Sequence, residues 1–244
     1  MFKRGNGPLV SFLLPTRNRV HWLLSAIDSV HSLAVDKNCF EFIFKLDDDD
    51  KETIQFIDHL STLIPVKTII SPRGNGYADM HLWVNEMCAM STGDWLFIFN
   101  DDARIMTERW DEVLQYSKLE GYWHDAADDI IALVAPVVSR PGSTEFIFLR
   151  RKVYEILGHW ALNPHNDTWI MKVMSNIFSI VEIPIYINHF NDESDDLTGK
   201  QTKETCKATI PLLIDNKTII EMLKDSLKLA EYIEEHKAVD FIDN

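Results

Sequence analysis

The sequence predicts an α/β protein with a mostly parallel central sheet flanked by helices, and three observations carry that expectation. Apolar runs of strand length alternate with segments of helical spacing. The connections between them are short. Two of the strands end in clustered acids, Asp47-Asp48-Asp49-Asp50 and Asn100-Asp101-Asp102.

The first strand is the apolar run at 9–14, halted by Pro15, and Val20 to Leu33 follows with helical spacing at Trp22, Leu23, Ala26, Ile27 and Val30. A second strand covers 40–46 and runs into the four aspartates. Thr53 to Leu63 is a helix with Ile54, Ile57, Leu60 and Ile64 on one face, and 66–71 is a third strand cut by Pro72. Met80 to Met90 is helical, and Gly93 turns the chain into a fourth strand through Trp95-Leu96-Phe97-Ile98-Phe99. The second half is more mixed: a helix over 108–119, a strand over 130–138, strand passing into helix over 145–158, a helix over 167–178 and a strand over 181–190. The polar stretch 191–207 reads as a mobile loop, and Ile219 to His236 as an amphipathic terminal helix. No repeat or Pro/Gly-rich boundary divides the chain, so 1–244 is expected to be one domain. A first half covers 1–103 and a second 104–190, with the loop and the C-terminal helical segment running on to 244.

Composition narrows the function classes. With 24 basic against 38 acidic side chains the formal charge is -14, which repels nucleic acid and anionic membranes at long range. Cys39, Cys88 and Cys206 form no C-x-x-C pair, which disfavours a disulfide framework or zinc knuckle and favours a reducing, cytoplasmic setting. No apolar stretch approaches the roughly 18 residues of a spanning helix. There is no H-E-x-x-H, no G-x-S-x-G elbow and no P-loop, which leaves a zinc protease without support and disfavours hydrolase and P-loop readings.

Two carboxylates at the mouth of a buried strand can hold a hard divalent ion and leave positions for water and phosphate oxygens, though Asn and Asp also favour plain turns. Four segments together decide between these. VSFLLPTRNR (10–19), FEFIFKLDDDD (40–50), RGNGYADMHLWVNEMCAMSTGDWLFIFNDDA (73–103) and FLRRKVYEILG (148–158) occur in the order and at about the spacing found in family-two glycosyltransferases. The chain thus resembles that family, whose Rossmann-like fold is called GT-A, over roughly residues 9–190.

The resemblance implies a nucleotide-diphospho-sugar donor, a UDP-sugar first and a GDP- or dTDP-sugar as alternatives, with Mn2+ or Mg2+ as cofactor. Thr16 and Arg17 would flank the base, Arg17 standing where the family often has a stacking aromatic. Asp47 or Asp48 would accept a hydrogen bond from base or ribose, the run of four acids leaving the register open by one residue. Arg73 would lie near the base or the diphosphate, or else cap a Pro-Arg-Gly turn. Asp101 would face the ribose or metal-bound water, and Asp102 would coordinate the metal, with Asn100 replacing the usual first aspartate. His189 would complete the metal shell or simply pack beside Phe190. Asp167 would be the base that deprotonates the acceptor hydroxyl, against the competing role of a helix cap. Lys200, Lys203 and Lys207 would close over the diphosphate, and Trp160 or Trp169 would line an acceptor groove.

The function expected is therefore metal-dependent, inverting transfer of a sugar to an acceptor hydroxyl of unspecified glycan, lipid-linked or protein origin. Two rivals stay open: a sugar-nucleotide pyrophosphorylase-like nucleotidyltransferase, and a non-catalytic acidic domain that binds metal or nucleotide. PTRNRVHW lacks the glycines that normally follow the first strand of a pyrophosphorylase.

Overall fold

A computed structural model describes residues 7–117, 129–190 and 197–237. Its main sheet contains β1 (Val10–Thr16), β2 (Phe40–Asp47), β3 (Val66–Ser71), β4 (Trp95–Ile98), β6 (Ala132–Val134), β7 (Ile147–Arg150) and β8 (Ile180–Glu182). They lie in the order β3-β2-β1-β4-β7-β6-β8. Only β7 runs against its neighbours, so the sheet is mostly parallel as expected. A separate two-stranded ribbon pairs β5 (Ala103–Ile105) with β9 (Ile187–His189).

Side chains alternate across the sheet, and helices bury both faces. Phe12, Phe42 and Phe97 pack on one side against α1 (Val20–Leu33), α2 (Lys51–Leu60) and α4 (Trp110–Tyr116). Leu13, Ile43 and Leu96 pack on the other against α3 (Met80–Met90), α5 (Arg151–Leu157), α6 (Asn166–Ser175) and α8 (Asn216–Lys237). A strand buried on both faces needs apolar residues at every position, which is why these strands read as unbroken runs. No helix among the described residues is long and apolar enough to cross a membrane.

The structure differs from the sequence expectation at three places that shape the site. Pro15 lies inside β1 instead of ending it. The Leu13 carbonyl accepts from Phe99 N at 3.0 Å, so the same edge two residues on, where Pro15 lacks an N–H, faces the point where β4 has already ended. The strand expected over 181–190 is two: Pro184 breaks it, leaving β8 in the main sheet and sending β9 to β5. The loop expected over 191–207 is helical from Leu197 onward, as α7 (Leu197–Thr209), while 191–196 lie outside the described residues. Its polarity reads as loop because its inner face, with Thr202, Lys203, Cys206 and Lys207, borders the cavity described below and not the core. Residues 118–119 of the expected 108–119 helix, and 238–244 of the C-terminal segment, are likewise outside the described residues.

Candidate active site

A crevice of about 600 Å3 opens beyond the carboxyl ends of β1, β2 and β4, where open parallel sheets place their ligands. Thr16, Arg17, Asp47, Arg73, Asp101, Asp102, Asp167 and His189 all border it. Asp48 does not, because strand alternation at the end of β2 sends Asp47 inward and leaves Asp48 exposed. Asp50 serves the backbone instead, its carboxylate accepting from Thr53 N at 3.2 Å as the cap of α2, and from Asn18 N at 2.6 Å.

The exit of β4 is the charged centre. Thr16 Oγ1 donates to Asp101 Oδ2 at 2.8 Å. Arg19 Nη1 donates to Asp101 Oδ1 at 2.9 Å and to Asp102 Oδ2 at 3.3 Å. Burial pushes the Asp101 carboxyl up to about 6 although Arg19 opposes it, and the Asp102 charge adds to the rise. Asp102 goes the other way: burial disfavours its charge, but the His189 hydrogen bond and the His189 and Arg19 charges outweigh that and hold it below the ordinary carboxylate range.

His189 reaches this centre through the ribbon, where the register sets it opposite Ala103, next to Asp102. Its Nε2 lies 3.1 Å from Asp102 Oδ1 and its Nδ1 lies 3.2 Å from Glu145 Oε1. Burial lowers the basicity of the ring, but the two carboxylates raise it further, to about 9. Arg140 Nη2 bonds Glu145 at 2.7 and 2.9 Å and also comes within 2.6 Å of His189 Nδ1. An imidazolium cannot accept at Nδ1, so Glu145 is the shared acceptor of both groups.

On the β2 side, Arg17 Nη1 donates to Asp47 Oδ2 at 2.9 Å and also bonds Asp49, which raises its basicity above normal against the effect of burial. Lys45 Nζ lies 3.6 Å from Asp47 Oδ1 and 5.2 Å from the centre of the Trp83 ring. Arg73 stands at the rim, donating to Gln201 of α7 at 2.7 Å. Asp167 occupies the first turn of α6, whose cap residue His165 makes no side-chain cap bond. Burial raises the Asp167 carboxyl, opposed by its backbone hydrogen bond near Thr168. A raised carboxyl is a stronger base once ionised.

Trp160 and Trp169 do not line an acceptor groove. They are 1% and 0% exposed, and their indole N–H groups are taken by Asn166 O and by Asp225. Lys203 and Lys207 of α7 do border the cavity, while Lys200 does not. Arg19, Lys45, Arg140 and Glu145 also border the cavity, although the sequence reading did not nominate them. For Arg19 a signal existed, since it holds the cap position of α1 where Ser, Thr, Asp or Asn is usual. Asn18, at φ 54°, turns the chain between Arg17 and Arg19.

A mostly parallel sheet with an acidic crevice at its carboxyl edge, part-neutralised by arginines, defines an α/β transferase of GT-A architecture. Residues 11–173 match the model of glycosyl transferase family 2, and the chain belongs to that family. No curated protein sequence matches the chain significantly. Among solved structures it is similar to S. aureus TarS 1-349, with a TM-score of 0.56 and 11% identity over 93% of this chain and 82% of that one. It is also similar to the mannosyltransferase PcManGT from Pyrobaculum calidifontis in complex with GDP-Man and Mn2+, with a TM-score of 0.56 and 13% identity over 97% and 81%. The TarS 1-349 complex with UDP-GlcNAc gives a TM-score of 0.54 and 13% identity over 94% and 72%. At such identities these likenesses establish the fold.

Proposed function

We propose that the protein transfers a sugar, with inversion, from a nucleoside-diphosphate sugar to an acceptor hydroxyl with the help of a divalent ion. The observation that carries this is the convergence of the Asp102–His189 pair and Asp167 on one cavity. TarS and PcManGT, described with UDP-GlcNAc and with GDP-Man and Mn2+, support a nucleotide-sugar donor.

The residues fit a hard divalent ion. Asp102 offers a carboxylate oxygen and His189 an imidazole nitrogen 3.1 Å apart. Among the described residues no group of three His, Cys, Asp or Glu could enclose a metal by itself, which suits an ion completed by diphosphate oxygens and water. When bound, Mn2+ or Mg2+ would offset charge building on the leaving diphosphate. Asp102 and His189 would hold that ion, and Arg19, which bonds both Asp101 and Asp102, would share in neutralising the same edge. Asp167 takes the acceptor proton as the acceptor oxygen bonds the anomeric carbon. The bond from that carbon to the diphosphate breaks, and its electron pair leaves with the nucleoside diphosphate. A cytoplasmic setting is part of the same proposal, supported by three cysteines that are all free thiols.

Asp102→Ala is expected to remove manganese-dependent binding of nucleoside diphosphate in calorimetry. Unchanged binding would overturn the metal role. In product analysis, release of nucleoside diphosphate identifies sugar transfer, and release of pyrophosphate would identify nucleotidyl transfer instead.

A further inference from the structure

Helix α8 is apolar on two sides. Met222, Ser226 and Leu229 are buried against the core, at the spacing of one helical face. Ile219, Ile220, Leu223 and Leu227 fall on an outer arc and are between 42% and 62% exposed. The turn that leads into the helix, Ile210–Leu213, continues this surface: Ile210, Leu212 and Ile214 are 50%, 43% and 77% exposed. A surface helix normally turns a polar face outward, so an apolar face of this extent marks a contact with something else. Ile210 also borders the cavity, which puts one end of the surface at the edge of the active site.

Charge decides between the candidates for that contact. Lys217, Lys224 and Lys228 follow one another at i, i+7 and i+11, and so form a stripe running alongside the apolar arc. All three are exposed, with Lys224 Nζ paired to Glu221 at 2.9 Å and Lys228 Nζ at 3.4 Å from Leu157 O. Residues 197–228 carry six lysines and four acids, in a chain of 24 basic and 38 acidic side chains. One of those four acids, Asp225, is buried against Trp169 and His159. An apolar arc bordered by lysines suits the headgroup layer of an anionic bilayer, with the aliphatic side chains inserted and the ammonium groups level with the phosphates. The acidic remainder of the chain is repelled by such a surface, so this face alone can approach it. A second copy laid antiparallel on the same face would set the lysine stripe against its own counterpart, which disfavours that pairing.

We propose that the outer face of α8, with the turn before it, docks on an anionic lipid surface and holds the edge of the active-site cavity beside that surface. The docking goes beyond the transfer function proposed above and does not depend on it.

Co-sedimentation of the full chain with vesicles of equal parts phosphatidylglycerol and phosphatidylcholine tests it. The protein is expected to partition onto these vesicles at least about tenfold more strongly than onto phosphatidylcholine alone, and to be released by high salt. Leu223→Glu/Leu227→Glu is expected to weaken partition at least about tenfold, since it removes two inserted side chains. Lys217→Gln/Lys224→Gln, which leaves the apolar arc intact, is expected to abolish the preference for phosphatidylglycerol. Circular dichroism establishes that each variant is folded, and the lysine variant decides the matter if the leucine variant is not. No binding of the unaltered protein to the anionic vesicles, or binding that both folded variants retain in full, would overturn the proposal. So would a dimer in analytical ultracentrifugation that the leucine variant dissociates while vesicle binding is absent, which would assign the face to a second copy.

Discussion

Two buried carboxylate clusters sit at opposite edges of the same sheet, and only one is closed. At the amino edge, Glu41 accepts from Ser11 Oγ at 2.7 Å, Thr92 N at 2.6 Å, Thr92 Oγ1 at 2.8 Å and Lys67 Nζ at 2.8 Å. Gly93 N in turn donates to Ser11 Oγ at 2.8 Å. A Cβ on Gly93 would stand 2.6 Å from Ser11 N, so the cluster admits no side chain there. At the carboxyl edge, Asp101 and Asp102 share Thr16, Arg19 and His189, and face a cavity. Burial raises both Glu41 and Asp101, but the partners of Glu41 win and those of Asp101 do not. A carboxylate saturated with donors serves the fold, whereas one left short of them is available to a ligand.

The contrast is open to attack from both sides. The largest effect should come from the open edge: Asp167→Asn is expected to lower sugar transfer about 10²–10⁴-fold while leaving donor affinity unchanged, since only proton removal is lost. Single-turnover rates and calorimetry on the same sample separate the two. A parallel loss of donor affinity would make Asp167 a binding residue.

Next comes the closed edge. Glu41→Ala should destabilise the protein by about 3 kcal/mol, because Ser11, the Thr92 N–H and Lys67 lose their common acceptor, with turnover per folded molecule retained. Urea unfolding checks the first part and activity corrected for folded fraction the second.

The pH dependence has the same origin. The folded Glu41 carboxyl lies below its unfolded value, so the stability it contributes is present above the ordinary glutamate range and is lost as pH falls through the folded value. Glu41→Gln should therefore flatten the acid limb of a stability profile. Asp101 has the opposite sign: its folded value, raised to about 6, makes ionisation cost stability as pH climbs from the ordinary aspartate range towards that value.

The smallest effect follows from this. Asp101→Asn should change the stability of the ligand-free protein at neutral pH by less than about 1 kcal/mol, in either direction, while impairing nucleotide binding. A loss as large as that of Glu41→Ala would mean the two edges are alike.

Much of the fold is legible in the sequence because it depends on short stretches. The alternation of apolar runs and helical spacing marks β1 to β4 and α1 to α3 to within about three residues at each end, and strand direction puts Asp47, Asp101 and Asp102 at one edge. Where the signal is ambiguous it is also local: four consecutive aspartates do not reveal which one the last pleat of β2 turns inward. The helix over 197–209 escapes a reading by periodicity because it faces an open cavity with Thr202, Lys203, Cys206 and Lys207 and so carries no continuous apolar stripe to announce it.

By itself, then, the sequence determined the family, the order of the first strands and helices, and the acidic edge. Those follow from backbone periodicity and residue chemistry within a few neighbours. Tertiary structure decided who stands beside whom. Pro184 splits one expected strand, the freed half pairs with residues 103–105, and that register delivers His189 to Asp102 across 87 residues of chain. Arg19, Lys45, Arg140 and Glu145 acquire their places in the same way, since a charge has no role until folding removes its water and chooses its partner.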